Sequence, residues 1–170
     1  MYATISKVLT KFFKQHVIFK YGFNISPMYR RSTGKIISVS EDLLHVKVKI
    51  PISYKNKNYV GSIFGGSLFS ATDPIFMIQL INVLGDKYVV WDKSTEIKFK
   101  RPAKENSFVD FVFTNQEIAA IKKRVEEEKE IDIVKEIKIT NKEASLVYTE
   151  VFKTIYIADK SYYKNKRNRK

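Results

Sequence analysis

An amide, two adjacent glycines and a carboxylate fall close together in Asn58-Tyr59-Val60-Gly61-Ser62-Ile63-Phe64-Gly65-Gly66, which runs on through Ser67-Leu68-Phe69-Ser70-Ala71-Thr72 to Asp73. Glycines at a helix entrance let a ligand approach the N–H groups of the first turn, which lack intrahelical partners and favour a carbonyl oxygen or an anion. Asp73 follows in an otherwise apolar run, where a carboxylate is costly to bury without a partner or a purpose. The segment reads as a site. Each residue also has a structural reading. Asp73 before Pro74 has the residue types of a helix N-cap and a first helical position. Gly65 and Gly66 could serve close packing alone, and Asn58 ends Lys55-Asn56-Lys57-Asn58, which suits an ordinary turn.

The surrounding pattern supplies the elements that must hold these residues. Ile5, Leu9, Phe12 and Phe13 opposite Lys7, Lys11 and Lys14 predict a basic amphipathic helix over residues 1–21, packed on its own domain or touching a membrane surface. Gly22 to Arg31 reads as a loop. Lys35–Val39 and Leu44–Ile50 form a hairpin in which His45, Lys47 and Lys49 face solvent. Residues 66–84 are apolar almost all round, as expected of an enclosed central helix, with Pro74 kinking it or marking its regular start and Gly85 ending it. Strands are expected at about 88–101, 107–114, 131–140 and 144–157, the last two joined by an Asn141-Lys142 turn. A helix with a capping box at Thr114-Asn115-Gln116-Glu117 lies between them.

With 170 residues, 44% of them hydrophobic, the chain makes one domain, residues 1–159, with a basic C-terminal run at 160–170 that reads as disordered. It has no cysteine and only His16 and His45, so thiolate chemistry is excluded and metal independence expected. The net charge of +13 suits an anionic partner. Aromatics are not interleaved with the basic run except at Tyr162 and Tyr163, which disfavours nucleic acid. No stretch of about 18 consecutive apolar residues and no signal peptide are evident, and a cytoplasmic protein is expected.

Asn-x-x-Gly-x-x-Phe-Gly-Gly followed by six residues and Asp resembles the signature of hotdog-fold acyl-CoA thioesterases. Asp73-Pro74, Leu84-Gly85-Asp86, Val90-Trp91-Asp92-Lys93 and Phe99-Lys100-Arg101-Pro102 are closer still to a thioesterase-like hotdog group, domain of unknown function 4442, over roughly residues 30–157. The resemblance implies an α+β hotdog: a curved antiparallel sheet wrapped around a long apolar helix, in a homodimer or tetramer with sites between subunits. It implies a thioester carbonyl at the N–H groups of Gly65, Gly66 or Ser67, and Asp73 as general base or nucleophile. Asn58, from the other chain of the composite site, would orient water or thioester. Phe64, Phe69 and Phe76 would line the acyl chain, and Lys93 or Arg101 would meet phosphates of coenzyme A or an acyl carrier. A metal or separate cofactor is not required. The competing reading is an acyl-CoA or fatty-acyl binding module without turnover. On residues alone, the phenylalanines and Trp91 suit the core, and Lys93 suits the surface or a pairing with Asp92.

Overall fold

The computed structural model describes residue 10 and residues 12–168. The elements run α1 (Gln15–Ile25), α2 (Pro27–Arg31), β1 (Lys35–Val39), β2 (His45–Ile50), α3 (Gly65–Thr72), α4 (Ile75–Leu84), β3 (Tyr88–Phe99), β4 (Ser107–Val112), α5 (Asn115–Glu128), β5 (Glu130–Thr140), β6 (Val147–Asp159) and α6 (Lys160–Asn168). Six antiparallel strands in the order β1-β2-β4-β5-β6-β3 curve around α3 and α4. This is the expected hotdog.

Strand alternation decides which side chains face the helices. Val46, Val48 and Ile50 of β2 and Val151, Ile155 and Ile157 of β6 are buried, and Phe76 of α4 meets Phe111 and Phe113 edge-on at 5.0 and 5.2 Å. Phe76 is therefore packed in the core under β4 and its C-terminal extension, and it also borders a cleft between β4 and β5. Gln79 is fully buried beside it, its amide donating to the Leu43 carbonyl at 2.9 Å. Tyr29 ties α2 to the central helix by donating to the Ala71 carbonyl at 2.9 Å.

The central segment is two helices, broken at Asp73-Pro74. Its length and mean hydropathy of 1.3 would suit a membrane crossing, but half of it is buried inside the domain. Enclosure is one-sided: Ile75, Phe76, Gln79, Leu80 and Leu84 are buried while Ile81 is exposed. Gly85 terminates α4 with a positive φ of 86°, a conformation that costs glycine little.

Several local expectations differ from the structure. Of the proposed helix at 1–21, residues 1–9 and 11 lie outside the described residues; among the described ones a helix runs from Gln15 and continues through most of the expected loop. Phe19 stacks on Phe23 at 4.9 Å and Phe23 meets Tyr29 edge-on, which extends the helix through Gly22 and Asn24. Between β5 and β6 the turn is longer than two residues, since Thr140 pairs with Val147 and Asn141 Oδ1 accepts from the Leu146 N–H at 2.9 Å. The basic run at 160–168 is helical rather than disordered. Asp159 accepts the Tyr162 N–H at 2.8 Å, Tyr163 meets Trp91 at 5.1 Å, and Lys166 pairs with Glu130 at 2.5 Å. Trp91 is thus on the outer sheet face, stacked on Tyr156 at 4.7 Å, and not in the core.

Phe76→Ala should cost about 3–5 kcal/mol, because a fully buried aromatic is lost among rings that can collapse only partly. Denaturant unfolding checks this; a loss below about 1 kcal/mol would show that the cluster is not a packed core.

Candidate active site

The loop before α3 is built around two asparagines. Asn56 is buried, its amide donating to Thr33 Oγ1 at 2.8 Å and to the Pro51 carbonyl at 2.9 Å, while its Oδ1 accepts the Ser53 N–H at 2.8 Å. Asn58 Oδ1 accepts from the N–H groups of Val60 and Ser62 at 3.2 and 3.0 Å, an Asx-type loop that brings the chain to Phe64. The carbonyl of Asn58 thus shapes the loop.

Asn58, Gly65, Leu68, Phe99 and Arg101 line one open cleft of about 420 Å³. The first-turn N–H groups of Gly65 and Gly66 precede any intrahelical acceptor. The Ser67 N–H already donates to the Phe64 carbonyl at 2.9 Å, which leaves Gly65 and Gly66 as the better donors to a bound oxygen. Both glycines also let aromatic rings lie close against the backbone. A Cβ on Gly65 would lie 2.8 Å from the Phe99 ring, and one on Gly66 would collide with Phe64. Phe64 and Phe99 are themselves largely exposed, so the helix entrance is capped by two rings open to solvent. Phe69 is part-exposed on the same helix.

Asp73 stands at the other end of α3 and does not cap α4. Pro74 is the N-cap, without a side-chain cap bond, and Asp73 keeps the extended geometry that a following proline favours. Its Oδ1 accepts instead from Lys153 Nζ at 3.0 Å. Lys153, on β6, is fully buried, and the same amine donates to Asp92 Oδ2 of β3 at 2.5 Å. The Asp73 side chain remains half exposed and that of Asp92 16% exposed. Burial pushes the Asp92 carboxyl above its ordinary value; the Lys153 amine opposes the shift and the Asp73 carboxyl adds to it. One cation thus serves two carboxylates.

The sequence reading missed this grouping. Asp92 pairs with Lys153 and not with Lys93, whose amine bonds Asp132 at 2.5 Å across the outer face of the sheet. Lys93 is accordingly committed to Asp132 and stands away from the cleft that holds Arg101. A second cleft, of about 660 Å³, opens where β4 and β5 separate after a single registered pair, Phe108 with Thr140; Glu117, Lys135 and Lys138 line it. Among the described residues no group of three or more His, Asp or Glu is placed to hold a metal.

The sequence profile of the family described as domain of unknown function (DUF4442) matches residues 15–157, and the chain belongs to that family. No curated protein sequence matches it. Among solved structures it is similar to a Pseudomonas aeruginosa protein of unknown function described as a probable thioesterase, with a TM-score of 0.73 and 18% identity over 84% of this chain and 95% of that one. A Chlorobaculum tepidum protein of unknown function has a TM-score of 0.64 and 19% identity over 91% and 94% of the two chains. A Haemophilus influenzae thioesterase has a TM-score of 0.61 and 12% identity over 85% and 90%. These likenesses establish the hotdog fold.

Lys153→Met should destabilise the protein by about 3–5 kcal/mol at neutral pH, because it leaves two carboxylates without their buried cation. Lys93→Ala should cost less than about 1 kcal/mol, its pair with Asp132 being solvent-screened. Losing the Lys153 amine raises the Asp92 carboxyl further. A carboxyl whose folded pKa is raised favours folding while protonated, and that contribution is lost as pH rises through the folded value. The Lys153→Met deficit should therefore be smallest near about pH 4 and grow toward neutrality, which unfolding at several pH values measures.

Proposed function

We propose that this protein is a hotdog thioesterase that hydrolyses an acyl-CoA or acyl-carrier thioester at a site shared by two subunits. The observation that carries the reading is the half-exposed Asp73 carboxylate, anchored through one oxygen to a fully buried lysine instead of being used as a helix cap. A carboxylate so held is available as a base. Water attacks the thioester carbonyl as Asp73 takes its proton; the new C–O bond gives an oxyanion that the Gly65 and Gly66 N–H groups stabilise. Collapse breaks the C–S bond, and the departing thiolate receives the proton from Asp73. Arg101, on the wall of the cleft beside Lys100, would meet phosphates of the carrier.

Helix geometry supports the two-subunit reading. Asp73 lies beyond the eight residues of α3, so Gly65 and Asp73 of one chain are separated by about 12 Å of helix axis. A water activated by Asp73 must attack a carbonyl carbon at about 3–3.5 Å. On this reading the Gly65–Asn58 cleft of one protomer is completed by Asp73 of the partner subunit. The strand β3 offers the means: it spans 12 residues at the sheet edge and pairs on one side only, with β6. Such an edge invites pairing with a second copy.

Asp73→Asn keeps the size of the side chain and removes the base, so hydrolysis of acyl-CoA thioesters, followed by free-thiol release, should fall at least about 100-fold while binding persists. Full activity in a folded Asp73→Asn protein excludes Asp73 as the base. Binding without turnover in the wild type would favour an acyl-binding module. Sedimentation at micromolar concentration should show a dimer or tetramer; a monomer that still hydrolyses thioesters contradicts the shared site.

A further inference from the structure

The buried charge at the centre of β6 asks for an explanation that stability does not supply. Lys153 falls in an inward row with Val151 and Ile155, where an apolar residue would pack without desolvating an amine. A buried ion pair of this kind is often no more stabilising than a well-packed apolar replacement. The group is not even fully satisfied: Asp92 Oδ1 is buried with no hydrogen-bond partner. Ser26 Oγ, Gln79 Oε1 and Thr149 Oγ1 are buried without a partner as well, but Asp92 Oδ1 alone of the four belongs to a carboxylate.

Resting on the thioesterase reading, we infer that Lys153 is a positioning residue for the hydrolysis: it holds the Asp73 carboxylate through Oδ1, while Asp92 draws on the same amine and sets how strongly Asp73 is held. Three elements meet there, the α3–α4 break with Asp73, β3 with Asp92 and β6 with Lys153. The other charged group on that face is Lys135 of β5, directly opposite Lys153 in the sheet register. Its amine is engaged by Glu117 of α5 at 2.6 Å and lies over the Phe113 ring at 4.7 Å, so it does not take part in the sharing. Thr95, the partner of Lys153 on β3, is neutral.

The consequence is a pair of opposite effects. Removing the amine takes the shared cation from both carboxylates, whereas removing the Asp92 carboxylate leaves that cation to Asp73 alone. A merely structural group would lower stability or kcat in both cases and leave the pH dependence alone.

The test is the pH profile of kcat/KM for the full-length wild type, Lys153→Gln and Asp92→Asn with one acyl-CoA substrate, folding being checked by circular dichroism. The acidic limb should move up by about one pH unit or more in Lys153→Gln and move down in Asp92→Asn, the size expected for a charge gained or lost at hydrogen-bond distance. If Lys153→Gln does not fold, Asp92→Asn alone decides: a lowered limb supports the role and an unmoved one overturns it. An active wild type whose limb stays in place in the folded variants refutes the positioning role and leaves the thioesterase reading standing. A wild type that hydrolyses no acyl-CoA or acyl-carrier thioester overturns the thioesterase reading first.

Discussion

The amine of Lys153 ties the break in the central helix to the paired strands β3 and β6. It is donated from the middle of the longest strand, β6, to an edge strand and to the break in the central helix. Ion pairs on the surface of this protein, such as Lys14 with Glu41, have water as a ready alternative partner. Lys153 does not, because it is fully buried, and its charge is tolerable only while the two carboxylates remain within reach. The position of Asp73 is thereby fixed from the sheet, although Asp73 itself sits between two helices and is half open to solvent.

Division of the central helix is what makes that contact possible. In an unbroken helix a residue at position 73 would continue the course set by α3. Pro74 cannot donate a backbone hydrogen bond and pushes its predecessor to extended geometry, so the carboxylate leaves the helical path and meets β6. The glycines act at the opposite end of α3, where aromatic rings crowd the backbone closely enough that no Cβ fits without displacing them. The same short helix therefore carries an anion-favouring entrance and a carboxylate at its two ends, about 12 Å apart, and on the proposed reading that distance argues for closure of the site by a second chain.

Much of the fold was legible because the dominant signals were periodic. Period-two alternation located β2, β4 and the C-terminal end of β5, and the capping box at Thr114–Glu117 is present with both of its hydrogen bonds. The glycine pair and Asp73 were legible from type and spacing. Lys153 was not, because lysine in a strand is ordinarily assigned to the solvent side. The available signal was its place in the row Val151, Lys153, Ile155, Ile157, which puts it inward. Asp92 was hidden for a related reason. The residues alone suggested that Trp91 faced the core, whereas pairing opposite Tyr156 and Ile155 puts Trp91 outside, under α6, and Asp92 within. Tertiary contacts made by Tyr163 and Lys166 likewise order a terminal helix that composition alone reads as disordered.

The most direct measurement is a crystal structure of the protein with an acyl-CoA analogue in which a methylene replaces the thioester sulfur, leaving the carbonyl but no bond to hydrolyse. The account expects the carbonyl oxygen at the N–H groups of Gly65 and Gly66 in one subunit, with Asp73 of the partner subunit in reach of its carbon directly or through one water. A ligand seated in the cleft between β4 and β5, or one whose carbonyl lies far from every Asp73 carboxylate, would contradict it.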